Sequence, residues 1–141
     1  MIHKTELKIR TYHTDAFGHV NNARYLELLE EARWCFSEDI GLTPLLREKE
    51  LGFIIIDMRL RFRHPVSEGD LITINTCLIT LGTASGEVQQ TVTCASSNKK
   101  SVTSLFHFIL IDRQTGASVP IQDEIRSLLL EIIEAPTGNK N

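Results

Sequence analysis

The sequence predicts an α+β domain, an antiparallel sheet of about five strands wrapped round one long helix. Three observations lead there. Apolar residues are spaced as in a strand near the N-terminus, as in a helix from about residue 22, and as in strands again from about residue 53. The elements run strand, long helix, four strands, short helix, and strands gathered in runs imply α+β rather than alternating βαβ units. At 141 residues the chain has the length of one domain, able to bury about two thirds of its unfolded surface.

Residues 5–12 alternate, Leu7, Ile9 and Thr11 against Lys8, Arg10 and Tyr12, which predicts a strand with one wet face. A polar, glycine-containing loop follows, from His13 to Asn21. Tyr25, Leu28, Leu29, Ala32, Cys35 and Phe36 then recur at helical spacing, with Leu26 widening the stripe. Asn21 or Asn22 is the expected N-cap and Gly41 the stop. A short Leu-rich turn around Pro44 leads into the strands. Phe53–Ile56 is a continuous apolar run, after which Met58, Leu60 and Phe62 alternate with Asp57, Arg59, Arg61 and Arg63. Pro65 ends that strand and Ser67–Asp70 forms a turn. The next strands are Leu71–Leu81, closed by Gly82, then Glu87–Ala95 with Val88, Val92 and Cys94 on one side, and Val102–Asp112; residues 96–100 make a hairpin turn. An amphipathic helix from about Pro120 carries Ile121, Ile125, Leu128, Leu129 and Ile132 on one face. The domain is expected to span residues 1–135, with a flexible tail at 136–141.

Composition narrows the function classes. Hydrophobic residues make up 42% and charged residues 23%, ordinary globular values. A net charge of −3 and a pI of about 5.9 argue against nucleic acid as a partner, because phosphate contacts need clustered Lys and Arg. Cys35, Cys77 and Cys94 form no CxxC pair and read as small buried hydrophobes in a reducing compartment. Lys4, Glu6, Lys8 and Arg10 interrupt any secretory apolar region, and no run approaches the length of a membrane span. The expected setting is cytoplasmic, with no membrane partner. His3, His13, His64 and His107 lack metal-like partners at useful spacing, so neither a metal nor a cofactor is expected.

The chemistry is concentrated in Tyr12-His-Thr-Asp-Ala-Phe-Gly-His-Val-Asn-Asn-Ala-Arg-Tyr25. A carboxylate, an imidazole and two amides stand in a loop that feeds a helix N-terminus. The first turn of a helix presents free N–H groups and partial positive charge, which suits the oxygen of an attacked carbonyl. A nearby carboxylate either attacks that carbonyl or deprotonates a water. The combination suits acyl transfer to water.

The run from Asp15 to Trp34, and Phe62-Arg-His-Pro65 followed by Gly69-Asp70, resemble the hotdog-fold acyl-CoA thioesterases of the 4-hydroxybenzoyl-CoA thioesterase type. Within that family the chain looks most like the bacterial long-chain acyl-CoA thioesterases. The resemblance implies a hotdog fold and an edge-paired homodimer or homotetramer, with an acyl-CoA whose pantetheine arm enters between subunits. It implies Asp15 as nucleophile or general base, Asn22 as the residue whose backbone N–H polarises the thioester carbonyl, and His19 as the motif histidine. Relatives with Asp-x-Asn-x-His, such as plant acyl-ACP thioesterases, use the middle Asn; Phe17 stands there in this chain, which disfavours that mechanism. Ser85 would lie near the thioester by the same analogy, although a bend before a strand explains it equally well.

Blander readings stand beside these. Asp15 alone would be a turn residue, and Asn21 and Asn22 caps. His19 either ties the loop to the helix or moves a proton. Tyr25 and Trp34 belong to the core or an interface, and Glu30 and Glu31 to solvated salt bridges. Arg63, Lys99, Lys100 and Arg113 are candidates for the coenzyme A phosphates, against the reading of a wet sheet face. The functional expectation is hydrolysis of acyl-CoA thioesters to free acid and CoA, with long aliphatic chains preferred. Aryl-CoA hydrolysis and a non-catalytic module that binds acyl-CoA or an acyl carrier are the alternatives; a hotdog dehydratase is weak for want of a paired His and acid.

Overall fold

The structure, a computed structural model, describes residues 1–134, so the expected tail at 136–141 lies outside the described residues. Strand β1 (His3–Lys8) is followed by a 3₁₀ turn at Thr11–His13, helix α1 (Asn22–Asp39) and a short helix α2 (Leu42–Glu48). Strands β2 (Leu51–Phe62), β3 (Leu71–Leu81), β4 (Ser85–Cys94) and β5 (Lys100–Asp112) follow, then helix α3 (Asp123–Ile132). The five strands form one antiparallel sheet in the order β1-β3-β4-β5-β2. No helix among the described residues is long and apolar enough to cross a membrane.

One face of the sheet carries the core. The strands alternate inward, as in β4, where Gly86, Val88, Gln90, Val92 and Cys94 are buried and their neighbours half-exposed. Tyr25, Leu28, Leu29 and Ala32 of α1 press onto Ile72, Ile74, Val92, Val102 and Phe106. Phe36, α2 and α3 close a second cluster over Leu78, Val88, Phe108 and Leu110. Helix α1 packs over β1 and β3 and reaches β2 at the Tyr25–Phe62 ring contact of 5.7 Å. That leaves a groove of about 750 Å³ between the C-terminal half of α1, helix α2 and the first half of β2.

Four expectations are corrected. The segment around Pro44 is helical: Pro44 is the third residue of α2, where a missing N–H leaves no helical bond unmade. The first strand stops at Lys8, and the Arg10 N–H donates to His13 Nδ1 at 2.8 Å, which folds Thr11–His13 into a 3₁₀ turn. The last helix begins at Asp123, because the residue before it, Gln122, is extended at φ of −145° and ψ of 175°, with the Ile121 N–H already on the Thr83 carbonyl at 2.8 Å. Cys77 and Cys94 are buried, whereas Cys35 sits half-exposed on the flank of α1 with its thiol 3.7 Å from Glu31 Oε1.

Candidate active site

The loop from Thr14 to Val20 is a miniature hairpin. Thr14 and Val20 form an antiparallel bridge, the Asp15 N–H donates to the His19 carbonyl at 2.9 Å, and the Gly18 N–H donates to the Asp15 carbonyl at 3.0 Å. The turn requires φ of +74° at Gly18, a left-handed conformation that glycine adopts without strain. Buried Val20 and Val66 anchor it, with the Val20 N–H on the Val66 carbonyl at 2.8 Å, and His19 bridges to Ser67. The Asn21 N–H bonds the His13 carbonyl at 2.9 Å, so the loop enters α1 along a fixed path.

The helix start is capped at Asn21, whose Oδ1 accepts from the Ala23 N–H at 2.8 Å. Asn22, the first helical residue, keeps a backbone N–H with no acceptor among the described residues. Asp15 Oδ1 accepts from the Phe17 N–H at 2.9 Å and, more loosely, from the His19 N–H at 3.4 Å. These bonds orient the carboxylate while Oδ2 has no partner among the described residues. Asp15, His19 and Asn22 line one pocket of about 290 Å³ with Arg63, His64, Pro65, Tyr25, Phe62 and Ser101. Burial pushes the Tyr25 phenol up to about 12, so it lines the pocket as a neutral group.

Four of the expected site residues therefore converge: Asp15, His19, Asn22 and Arg63. Lys99 and Lys100 lie close by in sequence, in the turn and at the start of β5, but they are exposed and do not line the pocket. Ser85 begins β4 opposite Ile109, some 26 Å along the strand from Thr93, and is not brought to the pocket within one chain. Arg113 lines the larger groove instead.

Ser101 was not foreseen. The register of β4 against β5 slips so that Val92 opposes Val102 and Thr93 opposes Lys100, leaving Ser101 as an extra, inward-facing residue. A bulge of this kind redirects a side chain, often beside a site. The Ser101 carbonyl accepts the N–H groups of Arg63 at 2.8 Å and His64 at 3.4 Å, fixing the segment that forms the pocket wall. Its hydroxyl is buried and unpartnered among the described residues.

A carboxylate and an unsatisfied helix-terminal N–H sharing a pocket can hold an acyl carbonyl by its oxygen while an oxygen nucleophile approaches its carbon. Known proteins are similar to this chain. Residues 9–129 match the model of the Thioesterase-like superfamily. Long-chain acyl-CoA thioesterase FadM of Escherichia coli is 33% identical over 131 residues, which are 93% of this chain and 99% of that protein. The crystal structure of YbaW, a probable thioesterase from E. coli, is 33% identical and superposes with a TM-score of 0.84 over 93% of this chain and 98% of that one. The fold is shared more widely: SAV2348 from Staphylococcus aureus, solved in complex with CoA, is 12% identical with a TM-score of 0.87 over 99% of this chain and 90% of that one.

Proposed function

This chain belongs to the Thioesterase-like superfamily and has the hotdog fold, and on that footing we propose that it hydrolyses long-chain acyl-CoA thioesters at the Asp15–Asn22 pocket. One observation carries the assignment of the site: the unpaired Asn22 N–H and the Asp15 carboxylate line the same pocket. The thioester carbonyl oxygen accepts from the Asn22 N–H, and the positive end of α1 stabilises the charge that develops there. Two routes are open to Asp15. As nucleophile, it attacks the carbonyl carbon, the C–S bond breaks, CoA leaves as thiolate, and water cleaves the resulting anhydride. As general base, it takes a proton from a water whose oxygen adds to the carbon, and the collapse of the tetrahedral adduct expels the thiolate. Either route gives a carboxylic acid and CoA-SH. His19 and Arg63 face the same pocket, and Arg63 is the cation available there for a pantetheine or phosphate oxygen.

The separate groove along the α1–β2 seam, which shares no lining residue with the Asp15–Asn22 pocket, is the proposed seat of a long acyl chain. Phe53, Ile54, Ile55, Met58, Leu42 and Leu46 are among the residues of its apolar wall. From Asn22 to Ser37, both on α1, the helix rises about 22 Å. A fatty acyl chain that spans one leaflet of a bilayer occupies about 15 Å, so the seam is long enough for it. The edge strand β2 exposes Ile54, Ile56 and Met58, and a long apolar edge left open invites pairing with another strand. A second copy of this chain is the proposed partner there; sedimentation of the intact protein as a monomer overturns that part of the reading.

The experiment is thiol release from a panel of aliphatic and aryl CoA thioesters, with Asp15→Asn beside the unaltered protein. Hydrolysis fastest on long aliphatic chains and lost in Asp15→Asn, with fold and assembly retained, is the expected result. Near-normal turnover in Asp15→Asn would defeat the assignment. Tight acyl-CoA binding with no thiol release on any chain length would select the second reading, a non-catalytic acyl-CoA-binding module.

A further inference from the structure

Beneath the middle of α1 lies a polar cluster that the proposed chemistry does not use. Gln90 of β4 is 0% exposed, and its alternation with Val88 and Val92 turns it into the helix–sheet interface. Its Nε2 donates to the Leu29 carbonyl of α1 at 3.0 Å and to Thr76 Oγ1 of β3 at 3.0 Å. Its Oε1 accepts from Arg33 Nη1 of α1 at 2.9 Å. Its backbone carbonyl accepts from Ser104 Oγ of β5 at 2.9 Å. Arg33 in turn lies 4.4 Å over the ring of Phe106. Arginine only donates and a carbonyl only accepts, so the Gln90 amide can sit in one orientation only.

Apolar contacts are not directional, and Leu28, Leu29 and Ala32 alone would let α1 slide or roll on the sheet by a fraction of an ångström. The Gln90 amide removes that freedom, because it grips α1 at two points one turn apart, the Leu29 carbonyl and the Arg33 guanidinium. The Leu29 carbonyl also receives the ordinary helical bond from the Arg33 N–H, so the Gln90 bond uses its second lone pair. Leu29 is about 10 Å along the helix from Asn22. A displacement of α1 at Leu29 reaches the Asn22 N–H undiminished through a rigid helix.

We propose that Gln90 is a positioning residue: with Thr76 and Arg33 it sets the register of α1 on the sheet and so places the Asn22 N–H opposite Asp15. This inference rests on the reading of the pocket as a thioesterase site. It assigns no contact with substrate to Gln90; the effect passes through α1. Misplacing a reacting group by about 1 Å costs a rate factor of about 100.

The test compares Gln90→Met and Thr76→Val with the unaltered protein as assembled in solution. Met fills nearly the volume of Gln without hydrogen bonds, and Val matches the shape of Thr. Gln90→Met leaves the Arg33 guanidinium and the buried Thr76 hydroxyl without their Gln90 partner, so some stability is lost and rates are compared well below each variant's unfolding transition. The expected result is a lowered melting temperature with the protein still fully folded at the assay temperature, kcat for a long-chain acyl-CoA lowered roughly 10- to 100-fold in Gln90→Met and less in Thr76→Val, and KM close to the original. A second readout is the carbonyl stretch of the thioester bound to Asp15→Asn protein. The Asn22 N–H lowers that frequency, and adding Gln90→Met returns it toward the free value. Unchanged kcat and carbonyl stretch in a folded Gln90→Met protein would overturn the proposal, as would a loss of rate with the carbonyl stretch unmoved. If Gln90→Met does not fold, Thr76→Val decides by the same criteria. Absence of thiol release in the unaltered protein would instead remove the reading of the site itself.

Discussion

Replacing Ser101 with alanine should make the protein more stable. Ser101 is 1% exposed, and its buried hydroxyl oxygen has no hydrogen-bond partner among the described residues. A buried hydroxyl without a partner costs about 1–3 kcal/mol relative to water. Alanine keeps the Cβ and removes only that oxygen. It also leaves the backbone carbonyl that receives the Arg63 and His64 N–H groups. Setting the lost dispersion contacts of one atom against the relieved desolvation leaves a gain of about 1 kcal/mol. For a chain of this size the melting temperature should rise by about 2–4 °C. The measurement is thermal and urea unfolding at one fixed protein concentration, since association adds to apparent stability. A rise in the urea midpoint at constant m-value is expected. In the same preparation thiol release should fall, because the bulge turns Ser101 into the wall of the Asp15 pocket. A lower melting temperature for Ser101→Ala would refute the reasoning, because it would mean that the hydroxyl has a partner within the fold.

Two further outcomes follow from the helix entry. Asn21→Ala removes the side-chain oxygen that accepts the Ala23 N–H and should cost about 1 kcal/mol in urea unfolding; unchanged stability would show that the helix start is held by the backbone bond from Asn21 to His13 alone. His13 should make stability acid-sensitive. Its pKa lies below the ordinary 6.5, first because of burial, then because of Arg24 and Arg10, with Glu27 opposing them. The folded protein therefore takes up this proton at lower pH than the unfolded chain does. The contribution is complete above pH 6.5 and is lost as pH falls through the folded-state pKa. Protonation at Nδ1 would also break the bond from the Arg10 N–H. Urea unfolding from about pH 5 to 8 should show a steeper acid loss for the unaltered protein than for His13→Gln, and parallel curves would exclude His13 as the source.

Much of this fold was legible because it rests on local spacing. Asn21 caps α1 and Gly41, at φ of +79°, ends it, as the pattern of apolar residues between them requires. The strands end where Pro65, Gly82 and the turn at residues 96–100 interrupt period two. Helix α2 was hidden because Pro44 reads as a breaker unless its place within the helix is known, and only tertiary packing of Leu42 on the α3 cluster supplies that place. Asp15, His19 and Asn22 could be grouped from the sequence because all three belong to one continuous segment, and they line one pocket. Gln90 carried a usable signal, a polar residue in phase with Val88 and Val92 on the core side of β4. Ser101 carried none, since a bulge shifts phase without changing the pattern before or after it.

The proposed reading puts catalysis and chain selection on different walls of the molecule. The pocket is tied within one chain: the loop carrying Asp15 is bonded to Val66, and α1 is bonded through Leu29 and Arg33 to Gln90. The groove has no such bracing on its outer side, where Trp34, Ile54 and Met58 stand exposed along its rim. Those side chains cost free energy in water, and association of a second copy along β2 would relieve it. On the proposed reading, geometry at the carbonyl is set by hydrogen bonds inside a subunit, whereas room for the acyl chain would be set by how a second copy closes over the seam. Substitutions near Asn22 should therefore act on kcat for every substrate alike. Substitutions at Trp34 or Met58 should redistribute activity among chain lengths through KM, leaving kcat for the preferred chain close to its original value. A uniform loss of kcat from Met58→Ala, with the chain-length profile unmoved, would show that the two walls are not separable.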